Sequence, residues 1–241
     1  MRARGVVKDF DAGGSPNRVL HGVDLDVEAG RLTLLVGPSG CGKTTLLSIL
    51  TGILTPTQGD VEVRGIRITD LQGARKARFR RDNLGFIFQQ YNLLPALTAA
   101  ENAGIPLVAA GLPLSAATAR ARETLARIGM TAHADKLPNQ LSGGQMQRVA
   151  IARALVHAPS VIVCDEPTAA LDAETGRLVM EILREIASNP DNAVLVVTHD
   201  DRVYHFADRI VTMSDGRITG EATPPRAPGS APSPSKEIPH V

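Results

Sequence analysis

The sequence predicts an α/β fold: a mixed β-sheet with flanking helices and an N-terminal antiparallel β part, carrying an inserted α-helical subdomain. Three observations predict it. Residues 31–36, 160–165 and 193–198 are nearly continuous apolar runs of strand length, the pattern of strands covered on both faces. Between the last two, Leu178, Val179, Ile182, Leu183 and Ile186 fall on one face of a helix. Residues 94–155, by contrast, are Ala-rich with helical spacing and no strand pattern, which marks the insertion.

The remaining elements follow in order. Val23, Leu25 and Val27 alternate with Asp24, Asp26 and Glu28, the period of a half-buried strand that ends at Gly30. Residues 45–50 open a helix directly after the first apolar strand, and 60–63 and 85–89 are further strands. Asp172 is placed to cap the helix that carries Leu178 to Ile186. Asp215-Gly216 between 210–213 and 217–219 is a two-residue hairpin signal. From 222 to 241 six of twenty residues are proline, too little apolar surface to fold, so a disordered tail is expected there. One domain is therefore expected over 1–221, with the helical subdomain at about 90–157.

Composition narrows the class. A hydrophobic fraction of 43% supports a real core, built from aliphatic residues because Trp is absent and only two Tyr and five Phe occur. The 26 Lys and Arg nearly balance 25 Asp and Glu, so no broad electrostatic footprint for nucleic acid or anionic lipid is expected. Cys41 and Cys164 lie far apart with no CxxC, which excludes a disulfide scaffold or zinc knuckle and favours a reducing compartment. Residues 1–10 lack the apolar segment of a secretory signal. The uncharged stretch 102–119 contains Gly104, Pro106, Gly111 and Pro113, so no membrane span is expected of it.

The chemistry begins at Gly37-Pro38-Ser39-Gly40-Cys41-Gly42-Lys43-Thr44, which fits G-x-x-x-x-G-K-[ST] between a strand and a helix. Glycines let successive N–H groups curl around an anion, and the helix N-terminus, through Thr45, adds its positive end. Lys43 would place its charge on β/γ-phosphates and the Thr44 hydroxyl could ligate Mg²⁺. The buried strand at 161–165 ends in Asp165, suited to hold a metal, with Glu166 beside it to polarise a water. Ser142-Gly143-Gly144-Gln145 forms a capping box ahead of an apolar helix, a second anion-ready helix end.

With Leu141-Ser-Gly-Gly-Gln145 running on through Met146 to Leu155, the chain resembles the nucleotide-binding domains of ATP-binding-cassette (ABC) transporters, which have a P-loop NTPase core. The resemblance covers about 6–220, with the motifs in family order. It implies ATP and Mg²⁺ as ligands and hydrolysis of ATP. Gln89 is similar to the Q-loop glutamine, a metal ligand and catalytic group; Asp172 is similar to the D-loop aspartate, although Ala170 stands where a small polar residue is frequent. His199 matches the switch histidine, and Glu166 the catalytic carboxylate. Phe10 is the candidate to stack on adenine, the alternative being that its ring packs under the following loop. The family pairs two copies head to tail, each ATP lying between one copy's Lys43 and the other's Ser142.

Residues 85–102 are similar to the lipoprotein-release, macrolide-export and heterocyst glycolipid-export branch. That branch implies an integral membrane permease with a large periplasmic domain, a periplasmic adaptor, and a peripheral place on the cytoplasmic side of the inner membrane of a Gram-negative-type envelope. The rival is an FtsE-like ATPase that regulates a cell-wall hydrolase through its permease. A DNA-repair ATPase would need a coiled-coil or zinc insertion and a basic surface, and none is legible, so no nucleic-acid partner is expected. Tyr91, Leu93, Leu94 and Leu97 are the expected dock for a cytoplasmic helix of the permease, the alternative being that they fill the join between core and subdomain.

Overall fold

A computed structural model describes residues 1–12 and 15–224. Its strands are β1 (Arg2–Ala12), β2 (Ser15–Asp26), β3 (Arg31–Val36), β4 (Gln58–Val63), β5 (Ile66–Arg67), β6 (Leu84–Ile87), β7 (Val161–Asp165), β8 (Ala193–Val197), β9 (Arg209–Ser214) and β10 (Arg217–Ala222). Its helices are α1 (Lys43–Leu50), α2 (Gly73–Asn83), α3 (Ala99–Ala109), α4 (Leu114–Arg127), α5 (Gly143–Leu155) and α6 (Ala173–Ala187). The expected tail lies outside the described residues from 225 onward, and Ala222 itself closes β10.

Two sheets form. β2-β1-β4-β5 is antiparallel, and β10-β9-β3-β8-β7-β6 is parallel except at the β9–β10 hairpin. The apolar strands behave as the sequence predicts because both sides of the larger sheet are covered. Leu32, Leu34 and Val36 of β3 join Val194 and Val196 of β8 against Val179, Met180 and Leu183 of α6. On the other side Leu35, Leu195 and Val163 pack with α1 and with the antiparallel sheet through Leu46, Leu50, Leu25 and Val61. A strand buried on both faces has no use for alternation.

The sequence pattern missed α2, and the reason is visible: Phe79 is its only buried residue, so no apolar stripe announces it. In the insertion, Ala99, Ala100, Ala103, Ala121, Leu125, Val149 and Ala152 build a small-residue core between α3, α4 and α5. α3 and α4 meet at 120°, and among the described residues no single helix is long and apolar enough to cross a membrane.

A buried asparagine fixes how the insertion leaves the core. Asn102 is fully buried; its Oδ1 accepts from the Leu94 N–H at 2.7 Å, and its Nδ2 donates to the carbonyls of Leu94 (3.0 Å), Leu97 (2.9 Å) and Thr98 (3.1 Å). The side chain thus satisfies a loop that has no partner strand. Asn102→Ala strands those groups, an expected loss of about 2 kcal/mol. At this size that lowers Tm by about 4–8 °C in a circular-dichroism melt; an unchanged Tm would contradict the clamp.

Candidate active site

The parallel strands end at one edge of the sheet, and the loops that follow them enclose a cavity of about 550 Å³. Ser39, Gly40, Gly42, Lys43, Thr44 and Thr45 line it from the loop after β3, Asp165 and Glu166 from the end of β7, and His199 from the loop after β8. Gln89, just beyond β6, completes that wall. α1 starts at Gly42 with no side-chain cap, so its first N–H groups remain for an anion. Lys43 is buried and folds back across the loop, its Nζ donating to the carbonyls of Gly37 and Pro38, each at 2.8 Å. Those two residues thereby position the ammonium, while Cys41 turns into the apolar core.

The loop is braced from outside its own segment. The Gly216 N–H at the tip of the β9–β10 hairpin donates to the Cys41 carbonyl at 3.0 Å, and the Gly216 carbonyl accepts from His21 N–H at 3.0 Å. Gly216 has φ of 71°, and a Cβ there would approach the Val19 carbonyl oxygen to 2.2 Å, so the turn has to be glycine. The hairpin signal in the sequence is therefore part of the phosphate loop's support.

The acidic side is compact. Burial and the neighbouring Glu166 push the Asp165 carboxyl above the ordinary carboxylate range, while its hydrogen bond with Thr44 and the Lys43 charge pull it back. Two carboxylates beside the Thr44 hydroxyl and the Gln89 amide suit a hard, oxygen-liganded cation that keeps some of its waters. Among the described residues no cluster of three or more His, Cys, Asp or Glu could cage a metal by itself.

Glu166 occupies the left-handed region at φ 51°, held by its N–H donating to the Val197 carbonyl at 2.9 Å. For a residue with a Cβ this conformation costs about 1–2 kcal/mol, a cost concentrated at functional positions. It leaves the carboxylate only 14% exposed and 2.7 Å from Nδ1 of His199, whose ring is 68% exposed. A shielded carboxylate and an accessible imidazole therefore share one hydrogen bond at the cavity.

Other predicted residues stand elsewhere. Leu141 to Gln145 are outside the cavity lining. Ser142 caps α5, its Oγ accepting from Gln145 N–H at 3.3 Å while Gln145 Oε1 accepts from Ser142 N–H at 3.0 Å. Gly144 lies so close to α6 that a Cβ would come within 2.1 Å of Thr175 Cγ2. Asp172 caps α6 from that side, accepting from the Thr175 N–H at 3.0 Å and its hydroxyl at 2.7 Å. Phe10 does not line the cavity; the residue is 39% exposed, with the Lys8 ammonium 5.1 Å from its ring centroid. Val19 of β2 lines the cavity, and nothing in its strand pattern distinguished it.

A second cleft, of about 410 Å³, opens between the core and the helical insertion, with Ile53, Phe86, Phe88, Pro106, Arg153 and His157 in its walls. The expected docking residues are not there. Leu93 packs against the insertion's core, and Leu94 is exposed with its backbone held by Asn102. Only an indirect link survives: Arg153 donates to the carbonyls of Tyr91 (2.8 Å) and Asn92 (2.6 Å).

Among known proteins, the ABC transporter family matches residues 20–169. This chain belongs to the ABC transporter family. Over 226 residues it is 45% identical to the lipoprotein-releasing system ATP-binding protein LolD 1 of Caulobacter vibrioides, covering 93% of this chain and 97% of that one. An ABC transporter ATP-binding protein of Mycobacterium tuberculosis is 46% identical over 89% of this chain, which spans 64% of that relative's length. The macrolide export ATP-binding/permease protein MacB of Burkholderia pseudomallei is 46% identical over 92% of this chain, but the match spans 34% of MacB. A dimeric ATP-binding cassette in a post-hydrolysis state, bound to ADP and Pi, superposes with a TM-score of 0.84 at 39% identity, covering 92% of this chain and 97% of that one. The chain is thus an ATP-binding cassette, an ATPase with the P-loop NTPase fold.

Proposed function

We propose that this cassette binds ATP and Mg²⁺ between two copies of itself and passes the energy of hydrolysis to an integral membrane permease. One observation carries the reading. Lys43, Thr44, Gln89, Asp165, Glu166 and His199 share one cavity, while the second anion-ready helix end, Ser142 to Gln145, lies outside it. A two-fold pair would bring each copy's capped helix end to the other's phosphate loop, and the dimeric relative bound to ADP and Pi supports that arrangement.

The chemistry follows from the side chains. Phosphate oxygens of ATP take the place of the Gly37 and Pro38 carbonyls as partners of Lys43. Thr44, Asp165 and Gln89 would hold Mg²⁺, which would supply positive charge against the phosphates. Glu166 accepts a proton from water as the water oxygen attacks the γ-phosphorus. The bond from γ-phosphorus to the bridging oxygen breaks, and that oxygen leaves with the electron pair on ADP. His199 fixes the Glu166 carboxylate through its Nδ1, 2.7 Å away.

The domain would run over 1–221 with the 90–157 insertion as its moving part, since Gln89 joins the cavity to that insertion. The permease's cytoplasmic helix would seat in the Ile53–Phe88 cleft rather than at Leu93 and Leu94. The names of the lipoprotein-releasing and macrolide-export relatives support an export or mechanotransmission complex; a place at the cytoplasmic face of the inner membrane, a large periplasmic permease domain and a periplasmic adaptor are part of the same proposal.

Glu166→Gln removes the proton acceptor but little bulk. ATP binding should persist and turnover should fall by a factor on the order of 100 or more. Size-exclusion chromatography with ATP and Mg²⁺ should then show an accumulated dimer; near-normal hydrolysis would reject the assignment. For the dock, Ile53 and Phe88 are exposed, so replacing both with Ser should spare Tm and basal hydrolysis. A membrane protein that co-purifies in detergent with the tagged wild-type cassette from its own cells should be lost, and its retention would move the dock elsewhere.

A further inference from the structure

The near balance of charge over the whole chain conceals a local excess. α2 carries five cations, Arg75, Lys76, Arg78, Arg80 and Arg81, against one anion, Asp82, and the remainder of the chain is net negative. Packing sorts these cations. Arg80 donates to the Gly52 carbonyl at 2.9 Å, Lys76 reaches the Thr55 hydroxyl at 3.5 Å, and Arg81 pairs with Asp82 at 2.6 Å. The side chains of Arg75 and Arg78 are exposed and make no hydrogen bond or ion pair among the described residues. Positions 75, 78 and 81 follow at intervals of three and form one ridge along the helix. The ridge meets the second cleft at Arg81, which lines it with Ala77 and Arg80 of α2 and the exposed Ile53 and Phe88, and runs away from it through Arg78 and Arg75.

We propose that this α2 ridge rests on the anionic headgroups of the membrane that holds the permease, with Arg75 and Arg78 as its phosphate contacts. The proposal builds on the docking reading: a permease helix seated in the cleft turns the α2 wall toward the bilayer. Guanidinium forks match phosphate oxygens in pairs and are weakly hydrated, so an arginine ridge suits a headgroup layer better than bulk water. Screening limits the effect to about 8 Å at physiological salt, so the ridge by itself binds headgroups in a salt-sensitive way, and docking adds to that hold by keeping it close. Nucleic acid is the other polyanion to weigh. The helix is only about 16 Å long and ends in Asp82, and the apolar Ile53 and Phe88 beside it would stay wet against a duplex backbone. A headgroup boundary accepts both kinds of surface. A sequence average could not show this, because it adds the ridge to the acidic remainder.

The test uses the full chain and needs no permease, so its failure leaves the docking reading standing. Wild type and Arg75→Ser/Arg78→Ser are sedimented with vesicles of phosphatidylglycerol or of phosphatidylcholine, at low and at high salt. The expected result is selective binding to phosphatidylglycerol that high salt abolishes. The double variant should lose binding roughly thirty-fold, or about five-fold per arginine, at unchanged Tm and ATPase rate. Equal partition onto both lipids, or undiminished binding by the variant, would overturn the proposal. So would a short DNA duplex that binds through the same two arginines more tightly than the vesicles do. Arg75→Glu/Arg78→Glu gives a second reading, since reversal should abolish phosphatidylglycerol binding altogether.

Discussion

The parallel register of three strands sets the whole catalytic edge. Leu35 of β3 lies opposite Val197 of β8, and Val197 lies opposite Asp165 of β7. The loops that leave these strands therefore start at one level. The phosphate loop, the Asp165–Glu166 pair and His199 are brought together although more than 150 positions separate the first from the last. Slipping one strand by a residue would exchange its two buried faces as well as move its loop, and both faces are filled. Packing thus holds the site's geometry more strictly than any contact inside the site does.

Charge supplies the second constraint. The edge collects a buried ammonium, uncapped helix N–H groups and two adjacent carboxylates. Each sign is compensated only in part. Lys43 has carbonyls for partners, and Asp165 is pushed toward protonation by burial and by Glu166. A nucleotide with its cation answers both demands at once, anionic oxygens for Lys43 and positive charge for the carboxylates. The strained backbone at Glu166 and its hydrogen bond to His199 hold a shielded carboxylate beside that position.

Local signals were legible in the sequence wherever one segment carried the whole message. The phosphate loop, the Ser142–Gln145 capping box, the Asp172 cap and the Asp215-Gly216 turn each depend on neighbours within a few positions, and each appears as read. What stayed hidden depends on distant partners. The cleft assembles Ile53, Phe88 and Arg153 from three separate segments, so no single stretch of sequence announces it, whereas Leu93 packs on the insertion's core and does not line it. Asn102 looked like one more polar residue in a helix, because the loop it clamps has no pattern of its own. Gly216 announced a hairpin but not that the hairpin would hold the phosphate loop.

The central claim is that each working site is built from two copies, Lys43 of one and Ser142 of the other. Mixing two inactive variants tests it most directly. Lys43→Ala removes the ammonium that would meet the phosphates, and Ser142→Arg blocks the surface offered to the partner's ATP. A mixed dimer then holds one site with both lesions and one site with neither. The account predicts that each variant alone is inactive and that hydrolysis returns on mixing, approaching a quarter of the wild-type rate at equal amounts, roughly the statistical share of intact sites. A mixture no more active than its two components would contradict the shared site.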